Sequence, residues 1–447
     1  MFGRVLLIFA LSFAPLAMAG ELPQSPTSAE PELNGKVLRL DDVVREALAQ
    51  NPSIAAANHM VEAQRRRVPQ AKALSDPTVT VGWMGNITPF SVQEGDPSSY
   101  RGVQAMQMIP LGGNRGARAQ VAEREVELAD TEVEATRRRL TADVKSAFYD
   151  YFAATRALSV TERNRDLLRQ LADIAQARYR VGKAMQQDVL KSQVEVTMIL
   201  QRITMLEAQR ATSQARLNTL LARPVDDPLP PPENIEPRPL NVPLQKLVEQ
   251  ARTADPELLK AVRTVARNQS TVTVAQKEYV PDLTVGFMYE QRPAMPDMYS
   301  MTFGVNIPVF YKSKQREAVR QAEEEVIAAQ QGQKHRQNEL FFELKQQYLA
   351  AKASEQLLTL YAKAVVPQSS LALESSMASY QVGTIDFLSV LSNFGSELNY
   401  ETEYYRELAN YNTALAKIEA LTGSDPASVA GIPVSNPAPE RNSNHAQ

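Results

Sequence analysis

Apolar positions recur at heptad spacing over an unusual length between residues 115 and 221. From Val126 they fall at Val133, Leu140, Ala147 and Ala154, and a second track, Val144, Tyr151 and Leu158, sits four residues behind. Such spacing keeps one narrow seam against a partner helix. The register skips Thr161 and Arg165 and resumes at Leu168, Ala172, Ala175 and Tyr179, with no proline in residues 115–180. At about 1.5 Å per residue the pattern predicts a rod roughly 100 Å long. After a break at Val181-Gly182 a second seam returns through Val189, Val196, Ile199, Ile203, Leu206, Leu217 and Leu220. This helical hairpin is too long for a compact domain and implies a spanning role.

Elsewhere the period drops to two. In residues 77–86, Val79, Val81 and Trp83 alternate with Thr78, Thr80 and Gly82; residues 100–109 alternate more weakly, with Val103, Ala105 and Ile109 opposite Met106 and Met108. In residues 282–291, Leu283, Val285, Phe287 and Tyr289 oppose Thr284, Gly286 and Met288. In residues 299–307, Tyr299, Met301, Phe303, Val305 and Ile307 oppose Ser300, Thr302, Gly304 and Asn306. Four such strands match the outer-membrane barrel signature. A soluble four-stranded sheet with one buried face alternates in the same way, so alternation alone does not decide. Four strands cannot close a barrel, since the smallest have about eight. Their edges would have to be paired within a bilayer, so several protomers would have to contribute strands. Trp83, Tyr100, Tyr289 and Tyr299 are the candidate membrane-interface aromatics.

The chain then repeats itself. Asn51-Pro52 returns as Asp255-Pro256 and the strand opening at Pro77 as that at Pro281, both displaced by 204 positions. Ile109-Pro110 returns as Ile307-Pro308, displaced by 198 because the second inter-strand loop is shorter. Tyr179-Arg-Val-Gly182 returns as Tyr380-Gln-Val-Gly383, and Val189-Leu190 as Val390-Leu391, displaced by 201. Both copies read helix, strand, strand, long helix, glycine turn, helix. Two units this long are a duplication rather than a solenoid. Repeat 1 is placed at 40–223 and repeat 2 at 244–423. Between them residues 224–243 hold eight prolines, a stiff extended connector. The second long helix carries the seam Phe341, Leu344, Tyr348, Ala351, Leu358, Ala362 and Val365, with a bend expected at Pro367 and a return helix over 387–421.

At the start, Arg4, the apolar run over residues 5–16 and Ala17-Met18-Ala19 read as an export signal over 1–19. Its removal takes one positive charge from a net −3, giving about −4, and no basic patch argues for nucleic acid. Zero cysteines exclude disulfides, thiolate metal sites and a lipid-modified N-terminal cysteine. Past the signal no apolar run approaches 18 residues, which excludes a helical membrane protein. Residues 20–39 read as a mobile arm and 424–447 as a disordered tail. A helix over 40–50 is expected to be capped by Asp41 or Asp42, and a second, over 53–74, to kink at Pro69.

Chemistry is sparse. Arg65-Arg66-Arg67 and Arg137-Arg138-Arg139 could line a lumen, though a solvated helix face is the commoner reading. Met84, Met106, Met108, Met288, Met295, Met298 and Met301 would suit a soft metal, but most lie at strand spacing, where methionine packs. His59, His335 and His445 are isolated. No metal-ligand spacing, phosphate loop or nucleophile elbow occurs, so no catalytic residue, metal site or cofactor is assigned.

The two-copy order, the Ile-Pro strand endings and the Tyr-x-Val-Gly then Val-Leu at each hairpin tip resemble the TolC family of outer-membrane efflux proteins, over residues 40–423. The resemblance implies a mainly α protein with a membrane β-barrel. Long coiled-coil hairpins would form a periplasmic α-barrel, and four strands per protomer would enter a shared 12-stranded barrel in a homotrimer. It implies an outer-membrane exit duct, a periplasmic adaptor and an inner-membrane transporter as partners, and outer-membrane lipid around the barrel. Gly182 and Gly383 match the family's turn glycine, and Val189-Leu190 and Val390-Leu391 its Val-Leu pair. With Tyr179, Val181, Tyr380 and Val382 these form the expected adaptor-contact tip. Asp188 matches the acid before the pair, but Ser389 departs from it, and Lys191 and Ser392 replace a second acid. Asp188 and Asp386 are candidate gate residues or, equally, capping acids of the return helices. A periplasmic coiled-coil adaptor or scaffold would explain the rods but not the paired strands, and a secreted enzyme would need convergent reactive groups that the chain lacks. Drugs, metal cations and secreted polypeptides all remain open as substrates.

Overall fold

A computed structural model of the chain describes residues 37–87 and 90–427. The expected export signal, the expected arm up to residue 36 and the expected tail from residue 428 lie outside them. Repeat 1 runs α1 (Leu40–Gln50), α2 (Pro52–Lys72), β1 (Thr78–Met84), β2 (Asn86–Ile87), β3 (Phe90–Ser91), β4 (Tyr100–Ile109), α3 (Asn114–Arg180) and α4 (Gln186–Leu220). Repeat 2 runs α5 (Leu244–Ala254), α6 (Pro256–Lys277), β5 (Asp282–Gln291), β6 (Met298–Asn306), α7 (Gln315–Leu360), a π turn (Tyr361–Val365), α8 (Val366–Val382) and α9 (Phe387–Thr422). The β2–β3 hairpin has no counterpart in repeat 2 and falls within a segment whose sequence reads as loop.

The duplicated dipeptides are helix starts. Asn51 accepts from the Ser53 amide at 2.9 Å and Asp255 from the Leu258 amide at 2.7 Å, with Pro52 and Pro256 next, where no donor is needed. The helix from Pro52 continues through Pro69 to Lys72. The expected Asp41 or Asp42 cap on α1 is not formed. Arg39 holds the cap position, both aspartates lie in the first turn, and the Leu40 amide donates to Glu233 at 2.9 Å. That contact also corrects the end of the mobile arm. Leu38 is fully buried and pairs with the connector, its amide donating to the Pro231 carbonyl and its carbonyl accepting from the Glu233 amide, each at 2.9 Å.

The connector is extended. Its carbonyls lack a sheet and need other donors: Tyr151 serves Leu229, Tyr411 serves Arg238 and Lys352 serves Leu240. Beside it one core cluster joins α3, α5, α6, α7 and α9 through Phe152, Leu247, Leu258, Leu344, Leu358 and Tyr411. A second lies nearer the hairpin ends and joins α3, α4, α8 and α9 through Leu171, Ile199, Leu373, Phe387, Val390 and Phe394. Residues 424–427 are not a free tail: Asp425 pairs with Arg238 at 3.0 Å and Ala427 packs on the first cluster.

α3 is unbroken over 67 residues, whereas its repeat-2 counterpart divides into 46, 5 and 17. One turn before Pro367, where the sequence predicts a bend, the helix widens into the π turn. Proline lacks an N–H and crowds the carbonyl four residues before it, and a widened turn relieves both.

The four long strands form one antiparallel sheet ordered β1-β4-β5-β6, so β1 and β6 are its open edges. The register aligns Val81, Val103 and Tyr289 across one face, with Phe287 and Met301 beside them. That face is mainly apolar, with Arg101 and Gln107 of β4 also on it, and much of it is exposed: Val81 is 71% and Phe303 66% accessible. The other mixes small and polar residues, Thr80, Gly82, Gly102, Gln104, Gly286, Ser300, Thr302 and Gly304, with Met84, Met106, Met108 and Met288. A sheet with one mainly apolar face and an opposite face rich in small and polar residues suits a barrel between a lipid exterior and an aqueous lumen.

Candidate functional site

The hairpin ends of both repeats are built alike. At the end of α3, Gly182 sits at φ +72° and donates to Tyr179 at 2.9 Å, while Lys183 donates to Arg178 at 2.9 Å. At the end of α8, Gly383 sits at φ +86° and donates to Tyr380 at 3.0 Å, while Thr384 donates to Ser379 at 3.0 Å. Each is a Schellman cap, which satisfies the orphan carbonyls and needs a left-handed residue. The two glycines differ in room. A Cβ on Gly182 meets nothing within 4 Å, whereas one on Gly383 would lie 2.9 Å from Arg178 Nη2.

Arg178 joins the two ends. Its Nη1 donates to the Tyr380 carbonyl, its Nη2 to the Lys183 carbonyl at 3.1 Å, and its guanidinium lies 4.7 Å from the Tyr380 ring centroid. Tyr380 is buried, its ring tilted against that of Phe387 with centroids 5.4 Å apart, and its hydroxyl has no hydrogen-bond partner among the described residues. Burial pushes that phenol above its ordinary range and the Asp188 carboxylate adds to the push, while Arg178 opposes it.

The structure therefore divides the expected tip residues. Tyr179, Val181, Leu190 and Val382 are exposed, Val382 by 77%, and Val189 and Leu391 are half-buried. Tyr380 and Val390 are buried inside the protomer, which corrects their placement on a contact surface: both sit in the seam where α8 and α9 close. As to capping, the α4 cap position belongs to Met185, with Asp188 in the first turn and no side-chain bond to the helix end. Asp386 holds the α9 cap position but accepts from the Ser389 hydroxyl rather than from a backbone amide. The serine that departs from the acidic pattern is thus the partner of the nearby acid.

One surface escaped the sequence reading. Leu190, Val194, Met198 and Met205 form an exposed stripe along α4, each more than half accessible. Beside Leu190 and Val194 lies a groove between α4 and α9, completed by Leu388, Leu391, Lys191 and Glu195. The signal was a surplus of apolar residues in α4 beyond the buried seam of Ile199, Ile203 and Leu217.

At the sheet, Trp83, Tyr289 and Tyr299 share the apolar face and one end, since Trp83 pairs with Arg101, Arg101 with Gln291, and Tyr289 with Tyr299. Tyr100 pairs with Met84 and shares its face with Gly102, whose added Cβ would approach the Tyr100 ring at 3.4 Å. Side-chain alternation thus places Tyr100 on the polar face, correcting its assignment to the lipid interface. The arginine runs brace helices. Arg65 pairs with Asp130, Arg138 donates to the Ala254 carbonyl at 2.7 Å and Arg139 pairs with Glu257. Among the described residues no group of three His, Asp or Glu is placed to hold a metal ion, and no helix is long and apolar enough to cross a membrane.

A family model described as outer membrane efflux protein matches residues 43–223 and 247–424, one match per repeat with the connector between. The cobalt-zinc-cadmium resistance protein CzcC of Cupriavidus metallidurans is 22% identical over 433 residues, covering 94% of this chain and 99% of that protein. The CmeC outer membrane channel of Campylobacter jejuni superposes with a TM-score of 0.73 at 12% identity, covering 86% of this chain and 85% of that one. The outer membrane protein VceC of Vibrio cholerae superposes with a TM-score of 0.72 at 15% identity, covering 86% and 96%.

Proposed function

Because the chain belongs to the outer membrane efflux protein family and is an outer-membrane exit duct, we propose that it works as a homotrimer. Three four-stranded sheets would close one barrel, and the helical hairpins would continue the conduit toward an inner-membrane transporter. The observation that carries this reading is the sheet with two open edges, β1 and β6, and opposite apolar and polar faces. An unpaired edge inside lipid leaves backbone groups unsatisfied at several kcal/mol each (roughly, for water-free hydrocarbon). Pairing β6 of one copy with β1 of the next removes that cost. Unheated gel mobility and light scattering of detergent-extracted protein test it; a monodisperse monomer overturns it.

The periplasmic adaptor docks on the exposed parts of the tips, namely Tyr179, Val181, Val382 and the Leu190–Val194 groove. The chain passes its cargo and transforms nothing. Asp188 is the better candidate gate residue, because Asp386 is engaged by Ser389. Selectivity rests with the pump, and the likeness to a cobalt-zinc-cadmium resistance protein makes divalent cations the first cargo to assay. Tight, stoichiometric binding of one cargo by the isolated protein would contradict this division of labour.

A further inference from the structure

The apolar face of the sheet has an aromatic girdle at the loop end only, formed by Trp83, Tyr289 and Tyr299. Membrane barrels flank an apolar band of about 25 Å with such girdles at both interfaces. From Tyr299 to Ile307 is eight residues, roughly 27 Å of strand, which a tilt of about 40° reduces to about 20 Å of membrane depth. The second girdle is therefore due just past Ile307, where the strands pass into the helices.

Three strand–helix junctions meet there. Val280, before β5, lies against Gly112, after β4: a Cβ on Gly112 would fall 2.7 Å from a Val280 methyl. Tyr279 packs on Tyr311, after β6, with ring centroids 6.4 Å apart. The turn after β6 is ordered, since the Phe310 carbonyl accepts from the Ser313 and Lys314 amides at 3.1 Å each and the Tyr311 carbonyl accepts from Arg316 at 2.8 Å. That turn holds Val309 and Phe310 outward, 72% and 78% accessible, the latter the most exposed aromatic ring described. Lys312 and Lys314 follow on the same turn, both exposed and in no ion pair among the described residues, whereas Arg316 is engaged by Glu317. An exposed aromatic with two uncompensated ammonium groups beside it, at the depth where hydrocarbon ends, has the chemistry of a lipid headgroup contact.

We propose that the turn carrying Phe310, Lys312 and Lys314 is an anionic phospholipid site of the periplasmic leaflet, the ring entering the acyl boundary and the two lysines taking the headgroup phosphate. The site rests on the barrel reading above and adds a ligand to it. It would fix the depth of the barrel where the strand rows end.

The chain has one tryptophan, Trp83, so Trp83→Phe with Phe310→Trp places a single fluorophore at the junction. Trimers are reconstituted in phosphatidylcholine vesicles containing brominated phosphatidylglycerol or brominated phosphatidylcholine. Both lipids should quench, the anionic one at lower mole fraction. Adding Lys312→Gln and Lys314→Gln should weaken that preference on the order of five-fold per lysine. Absent quenching by either lipid would place Phe310 against a neighbouring subunit and overturn the proposal, as would equal quenching untouched by the lysine replacements. Should the tryptophan variant yield no trimer, native mass spectrometry of the unaltered protein and of Lys312→Gln/Lys314→Gln, titrated with phosphatidylglycerol, decides. Equal lipid retention by both overturns it. All measurements are made on the trimer fraction, so failure of the oligomer itself registers separately.

Discussion

Arg178, in the last turn of α3, donates to the backbone carbonyl of Tyr380, in the last turn of α8, and lies over its ring at 4.7 Å. One side chain thus ties the hairpin end of repeat 1 to that of repeat 2. The guanidinium also serves the Lys183 carbonyl, so the same group closes its own turn. Lysine could supply the charge but not the two-pronged donation.

Arg178→Ala should therefore loosen the ends without disturbing the sheet. Charged hydrogen bonds are worth about 1.5–3 kcal/mol each when desolvated, less where partly exposed. A local loss of about 2 kcal/mol would speed amide exchange at the end of α8 and the start of α9 roughly thirty-fold. Arg178→Lys should fall between. Unchanged exchange in both variants would show that the link holds nothing.

The two tip glycines should respond unequally. A β-branched residue at φ near +72° or +86° strains either turn by on the order of 1–2 kcal/mol. Only at Gly383 must the new side chain also displace Arg178. Gly383→Val should thus lower export more than Gly182→Val, and the double variant should abolish it while heat-modifiable trimer persists. Loss of trimer would mean that the glycines serve folding; normal export with intact trimer would remove the tips as the docking surface.

A third turn of this kind carries the wrong residue. Ala222 sits at φ +58° after α4, with Arg223 donating to Asn218 at 2.9 Å, while the matching position after α9 is Gly423 at φ +72°. Ala222→Gly should relieve about 1 kcal/mol of strain. The temperature at which the trimer dissociates on a gel should rise by up to about 2 °C. A fall would show that the alanine methyl packs usefully.

What the sequence disclosed and what it withheld follow from the range of the interactions. The heptads around Val126 and Leu140, the alternation at Phe287 and the glycine turns are local patterns, and they placed α3, β5 and both tips. The partner of Leu38 lies nearly 200 residues away in the connector, so no local pattern could show that the arm is fixed there. Tyr380 and Val390 sit beside exposed Val382 and half-buried Leu391 in the chain. Only the closure of α8 on α9 decides which of them reach solvent. For Tyr100 the reason is simpler: aromatic character alone does not fix a residue's face, and the pairing with Met84 sets its parity.

Glu397 gives a pH prediction. Burial between α9 and α3 holds its carboxyl above the ordinary glutamate range, Glu401 adds to this and Arg163 opposes it. A raised folded-state pKa means that the native state keeps the proton to higher pH than the unfolded chain. The associated stability is fully present below the ordinary glutamate pKa and is lost as pH rises through the raised value. Glu397→Gln should therefore raise the dissociation temperature of the trimer at neutral pH and do little below about pH 4. A gain of equal size at both would assign the effect to packing.

The assignment of the two sheet faces can be tested with neighbouring residues. Phe303 pairs with Val285 on the apolar face and Thr302 with Gly286 on the polar one. They lie at the same depth, on the same strand, with the same backbone surroundings, and differ only in direction. An arginine facing lipid near mid-membrane costs about 2–4 kcal/mol, and a barrel of three copies incurs it three times. An arginine facing the lumen keeps its hydration and has glycine beside it, since Gly304 and Gly286 leave room there. Phe303→Arg should therefore leave little trimer in the outer membrane, while Thr302→Arg should assemble normally and alter only the conductance of the reconstituted channel. Each amount is read from heat-modifiable trimer in membrane fractions. The reverse result would turn the sheet inside out. It would also place Trp83, Tyr289 and Tyr299 in the lumen, and with them the lipid belt beneath Ile307.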